Sequence, residues 1–127
     1  MADLTPLSRI LVLEDEGLIA LDIETALQDA GVAEVTTVSN VADALGAIDG
    51  SMFNAAILDL RLGADSWSYD VARRLREKGT PFIFSSGSAD VDDAYRDVPL
   101  VAKPFSSDQL VAKLIEVTSG ATIQAAE

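Results

Sequence analysis

The chain contains no cysteine and no histidine. The first absence excludes disulfides, thiolate metal sites and cysteine nucleophiles. The second removes histidine-based triads and the commonest zinc ligand. Any metal must then be held by oxygen, which favours magnesium, calcium or manganese. Positive charge is scarce as well: 9 Lys and Arg stand against 21 Asp and Glu, for a net charge of −12. Such a surface repels nucleic-acid phosphate and anionic lipid, and no basic stripe offsets it. No apolar run is long enough to span a bilayer, and residues 1–8 carry no basic-then-apolar secretion signal. A cytoplasmic protein with neither nucleic-acid nor membrane partners is the expectation.

What is present is an ordinary globular composition, 49% hydrophobic and 24% charged over 127 residues, enough for one domain with a real core. The chain is organised around Ala55-Ala56-Ile57-Leu58-Asp59-Leu60. A short apolar run of this length reads as a strand buried on both faces, although periodicity alone also admits buried helix. A carboxylate that ends it is expensive to bury without a partner. Asp59 is therefore expected at the carboxyl edge of a parallel sheet, where such sheets open their ligand crevice.

Other segments repeat that design. Ile10-Leu11-Val12-Leu13 runs into Glu14-Asp15-Glu16, and Phe82-Ile83-Phe84 runs into Ser85-Ser86-Gly87. Leu100-Val101-Ala102 runs into Lys103-Pro104-Phe105, and Val35-Thr36-Thr37-Val38 is more polar, as an edge strand would be. Helical patterns fall between them. Ile19, Ile23, Ala26, Leu27 and Ala30 form one stripe before Gly31, and Ser39 or Asn40 caps a second helix reaching Ile48. A third helix is expected over residues 69–78 and only a short one over 90–96. A last helix is capped by Ser106 and Gln109 and stopped by Gly120. Residues 60–66 read as loop, 1–8 as a flexible lead, 9–119 as the domain and 120–127 as a tail. Strand and helix alternate five times, which predicts an α/β doubly wound parallel sheet.

Every polar residue that follows a strand lies at a carboxyl end, so one crevice can collect Glu14, Asp15, Glu16, Asp59, Ser85, Ser86 and Lys103. Clustered carboxylates repel, and one must protonate unless a cation intervenes. Magnesium suits an all-oxygen site with few protein ligands. A carboxylate beside magnesium, a hydroxyl and an ammonium fits a phosphoryl acceptor, since Asp forms aspartyl phosphates and the other groups neutralise the transferring charge.

At these residues the chain resembles the receiver domain of two-component response regulators. The matching pieces are Leu13-Glu14-Asp15-Glu16, Ile57-Leu58-Asp59, Ser86-Gly87 and Lys103-Pro104-Phe105, in order, across residues 9–119. The resemblance implies strand order 2-1-3-4-5, with Asp59 as phosphoacceptor. It implies magnesium held by Asp15, Glu14, Asp59 and the backbone carbonyl of Arg61. Ser86 would bind the phosphoryl group, with Ser85 as its competitor, and Lys103 would pair with the phosphoryl or, without it, with Asp59. The Lys103–Pro104 bond would be cis. Glu16 is left as a helix-start charge and the acidic run Asp90, Asp92, Asp93 as a solvated face. Trp67 and Tyr69 read first as packing and second as a partner surface.

The resemblance further implies a phosphoacceptor rather than an enzyme, with slow self-dephosphorylation at most. Its partners would be a sensor histidine kinase or histidine phosphotransfer protein and a downstream protein target, with a homodimer through the last strand and helix in many receivers. With no output domain after residue 119, it would signal through a protein partner or act as a phosphate carrier or sink. Three departures stand out. Leu100 occupies the place of the usual aromatic switch, residues 86–103 are short enough to reduce the fourth helix, and Gly63 follows Asp59 where proline is frequent. Together with Phe84-Ser85-Ser86-Gly87 they resemble an alphaproteobacterial subgroup that reads Phe-x-Thr-Gly there. Phosphorylation would then act by ordering the short fourth helix. The alternatives are a phosphorylation-independent interaction module and an aspartyl-phosphate phosphatase of the haloacid dehalogenase type. That phosphatase family wants a second Asp where Arg61 stands. A flavodoxin-like cofactor binder would need a glycine- and hydroxyl-rich loop where three acids follow the first strand.

Overall fold

The computed structural model describes Leu4 and residues 7–63, 66–88 and 90–126. The strands of the main sheet are β1 (Arg9–Leu13), β2 (Glu34–Val38), β3 (Ala55–Asp59), β6 (Phe82–Ser86) and β7 (Leu100–Ala102). All pair in parallel, in the order β2-β1-β3-β6-β7. With the short ribbon β4 (Arg61–Leu62) and β5 (Ser66–Trp67) set aside, this is the expected 2-1-3-4-5 sheet. The helices are α1 (Gly17–Asp29), α2 (Val41–Gly50), α3 (Tyr69–Glu77) and α4 (Ser107–Ala126).

Strand alternation divides the interior into two layers. Ile10, Val12, Ala55, Ile57, Ile83 and Val101 pack against α1 and α4, through Ile23, Leu27, Leu110 and Leu114. Leu11, Leu13, Ala56, Leu58, Phe82 and Phe84 pack against α2 and α3, through Ala44, Ile48, Val71 and Leu75. β3 is buried throughout, whereas the polar β2 keeps two exposed and three half-buried residues at the sheet edge.

Local chemistry sets the helix ends. The Asp43 amide donates to Asn40 Oδ1 at 2.8 Å, so Asn40 rather than Ser39 caps α2. Ser106 and Gln109 exchange two hydrogen bonds at the start of α4, as a capping box does. Gly31 stops α1 at φ 109°, its N–H donating to Gln28 O while that of Val32 donates to Leu27 O. Only glycine enters that left-handed region freely, and Val32 then buries beside Leu27.

Four features differ from the sequence expectation. Residues 60–66 are not all loop: Arg61 and Leu62 pair antiparallel with Trp67 and Ser66. The expected short fourth helix is only a 3-10 turn, Asp93–Tyr95, because little chain remains before Pro99 returns it to the sheet. α4 continues through Gly120 to Ala126, since one glycine costs a helix only about 1 kcal/mol and alanine-rich chain follows. The lead is not simply flexible, for Leu4 is buried in the α1/α4 layer and its N–H donates to Ala30 O at 2.8 Å. Leu4→Ala should therefore destabilise the fold by about 2–5 kcal/mol in urea melts. A loss below about 1 kcal/mol would show that the lead adds nothing to the core.

Candidate functional site

The topological switch point lies between β1 and β3, whose carboxyl ends carry Glu14 and Asp59. Glu14 continues the ladder of β1, its N–H donating to Val38 O at 3.0 Å. Glu14 is 3% exposed, and its Oε2 accepts the Glu16 amide at 3.2 Å. Asp59, the last residue of β3, is 5% exposed. Asp15 sits beside them and is exposed. Ligand oxygens of Glu14, Asp15 and Asp59 lie within 4.8 Å of one another. Glu16 flanks the group at the start of α1 and makes no side-chain cap bond.

Lys103 reaches this cluster from β7, across β6. Its Nζ stands 3.0 Å from Glu14 Oε1 and 3.2 Å from Asp59 Oδ2. Its N–H donates to Ser86 O at 2.8 Å, and the following Lys103–Pro104 bond is cis. The expected pairing of Lys103 with Asp59 is present, while its equally close pairing with Glu14 was not legible in the sequence. Burial pulls the Lys103 ammonium toward neutrality, but its bonds and charge contacts with Glu14 and Asp59 outweigh this, so its pKa is raised.

Asp59 responds in the opposite sense to a surface carboxyl. Burial, then repulsion by the Glu14 carboxylate, pushes its pKa up to about 7, although Lys103 pulls it down. One ammonium does not neutralise the cluster. A divalent cation among the three carboxylates would, and the all-oxygen donor set suits magnesium. Arg61 begins the ribbon just beyond Asp59, and its guanidinium lies over the Trp67 ring at 5.4 Å.

Both serines end β6 and both are buried. Ser86 Oγ accepts the Ser88 amide at 3.0 Å, and Ser88 Oγ accepts the Asp90 amide at 3.2 Å. The next stretch is held by Tyr69, whose Oη accepts the Asp92 amide at 2.8 Å. The Tyr69 ring stacks on Trp67 at 5.8 Å and on Tyr95 at 5.3 Å, and meets Phe84 edge-on at 6.2 Å. Leu100 packs half-buried in the same layer. Packing thus accounts for Tyr69, whereas Trp67 stays 41% exposed. The packing expected of Tyr69 is present, and the missed feature of this region was Tyr95 stacked upon it. Tyr69 at the start of α3 and Tyr95 beside a leucine-for-aromatic exchange were the available signal.

The family model for the response regulator receiver domain matches residues 10–115. The chain belongs to the response-regulator receiver family. The transcriptional regulatory protein DltR of Streptococcus agalactiae is 33% identical over 113 residues, 84% of this chain and 50% of that protein. The receiver thus spans about half the length of the curated relatives it matches. The BeF3-activated conformation of SdrG from Pseudomonas melonis Fr1 is 38% identical with a TM-score of 0.76, covering 93% of this chain and 99% of SdrG. A receiver protein from Sinorhizobium medicae WSM419 is 30% identical with a TM-score of 0.79, covering 91% and 97%. No helix among the described residues is long and apolar enough to cross a membrane.

The raised pKa of Asp59 sets a pH dependence. The folded protein holds this proton up to about pH 7, whereas the unfolded chain releases it near 3.8. Folded protein therefore binds more protons between these values, and stability falls as pH rises through that window. In metal-free buffer, Asp59→Asn should match wild type near pH 4, exceed it increasingly toward pH 7, and hold a constant margin above. A stability difference that is flat with pH would contradict the assignment.

Proposed function

We propose that this receiver accepts a phosphoryl group on Asp59 from a phosphohistidine protein, a sensor kinase or a histidine phosphotransfer protein. The carrying observation is the Lys103 ammonium held within 3.2 Å of Asp59 in a cluster of three carboxylates that it alone does not neutralise. An Asp59 oxygen attacks phosphorus, the phosphorus–nitrogen bond of the donor breaks, and its electron pair returns to the imidazole. Lys103 follows the new negative charge and pairs with a phosphoryl oxygen, while conversion of Asp59 to the acyl phosphate removes its carboxylate repulsion with Glu14. Glu14, Asp15, Asp59 and the backbone carbonyl of Arg61 would hold magnesium, which supplies further charge neutralisation for the phosphoryl oxygens. Ser86 turns its hydroxyl proton to a third phosphoryl oxygen. The chain is a phosphoacceptor, and its only turnover is slow hydrolysis of its own acyl phosphate.

The signal leaves through the segment that follows Ser86. Movement of Ser86 disturbs the Ser88 and Asp90 turns, and with them the Asp92 amide on Tyr69. The Tyr69–Tyr95 pair takes the part for which Leu100 is too small, and residues 90–96 gain order on phosphorylation. The altered surface around the 3-10 turn, β7 and α4 addresses a downstream protein. We place the receiver in the cytoplasm, with its kinase and target as partners.

Intact mass after incubation with acetyl phosphate and magnesium tests the acceptor. One phosphoryl adduct is expected on wild type and none on Asp59→Asn or without magnesium. No adduct, together with no beryllofluoride complex, would move the reading to a phosphorylation-independent module. For the relay, amide exchange over residues 90–96 should slow on phosphorylation in wild type and change less in Tyr69→Phe. Equal exchange before and after phosphorylation would contradict the relay.

A further inference from the structure

Ser85 is fully buried, at 0% exposure, and among the described residues its Oγ has no hydrogen-bond partner. A buried hydroxyl left unpaired destabilises a fold, and such groups are rare enough to require a reason. The strand register supplies one. Ile83 faces the α1/α4 layer together with Val12, Ile57 and Val101. Side chains repeat every second residue along a strand. Two residues further on stand Glu14, Asp59, Ser85 and Lys103, which places all four on that same face. Asp59 and Ser85 are direct partners in the parallel register of β3 and β6. Lys103 comes from the far side of β6 and still reaches Asp59 at 3.2 Å, so its side chain passes over the strand that carries Ser85.

Ser86 falls on the opposite face, with Phe82 and Phe84, and its Oγ already accepts the Ser88 amide. The two adjacent serines therefore have different surroundings. In the resting state Lys103 holds Asp59 Oδ2, and the Ser85 hydroxyl makes no hydrogen bond to either Asp59 oxygen. Once Lys103 follows a phosphoryl group, the carboxyl group of Asp59 loses that partner. The Ser85 hydroxyl stands on the next strand, about 4.7–4.9 Å away backbone to backbone, as an unused donor on the same face.

We propose that Ser85 is a positioning residue of the phosphoryl site, its buried hydroxyl donating a hydrogen bond to the acyl group of Asp59 when that residue is phosphorylated. The proposal rests on the acceptor reading of Asp59. It makes the resting state carry an unsatisfied group that the phosphorylated state satisfies, and so favours the phosphorylated form.

The test is beryllofluoride binding with magnesium, followed by fluorine NMR on the full chain, for wild type, Ser85→Ala and Asp59→Asn. Melting temperatures of the metal-free proteins accompany it. Ser85→Ala should bind beryllofluoride about five- to tenfold more weakly, the loss of one neutral hydrogen bond. Its metal-free melting temperature should equal or exceed that of wild type, because the unsatisfied hydroxyl has gone. Affinity within about twofold of wild type would overturn the proposal. So would an affinity loss accompanied by a lowered melting temperature, which would assign Ser85 to the fold. Wild type that fails to bind beryllofluoride would instead overturn the acceptor reading, and this proposal with it.

Discussion

The Lys103 ammonium, held between Glu14 and Asp59, is the contact on which the rest of the site depends. Removing a charge from water costs several kcal/mol even in a relaxed protein interior. Two buried carboxylates and a third beside them cannot be offset by one cation. The structure answers in two ways, by drawing Lys103 onto both buried acids and by raising the proton affinity of Asp59. Both leave the cluster short of positive charge. That shortage is the basis of the proposed divalent ion and of the proposed movement of Lys103 toward a phosphoryl group.

The fold supplies the precision. Glu14, Asp59 and Lys103 lie at the ends of β1, β3 and β7, which a fully buried central strand holds in register. The two hydrophobic layers beneath are continuous with the site, since each site residue on the α1/α4 face stands two places beyond a core residue of the same face. Displacing a carboxylate therefore means displacing a packed strand. The proposed movements fall to groups outside that packing, the Lys103 side chain and the turns held by the Ser88 and Asp90 amides.

Much of this was legible in the sequence. Alternating apolar runs and helical stripes, with acids, hydroxyls and a lysine at strand ends, point to one crevice that holds Asp59 and Lys103. What was not legible has physical causes. Two-residue strands such as Arg61–Leu62 are too short to show a period. A single buried leucine in a short lead, Leu4, makes no periodic pattern. Gly120 is a common helix stop but only a weak one inside good helix-forming chain. The faces of Ser85 and Ser86 depend on where β6 begins its pleat, which adjacent serines do not disclose. The contact of Lys103 with Glu14 depends on side-chain reach across β6, which strand order alone does not give.

The central claim is that the excess negative charge at Asp59 is a cation site coupled to a proton. Calorimetry of magnesium binding in buffers of different ionisation enthalpy measures this directly. Because magnesium and the proton compete for one carboxyl group with a pKa of about 7, binding should release about one proton near pH 6 and almost none near pH 8.5. It should also tighten as pH rises between these values. Magnesium binding with no proton release at either pH, or no binding at all, would contradict the account.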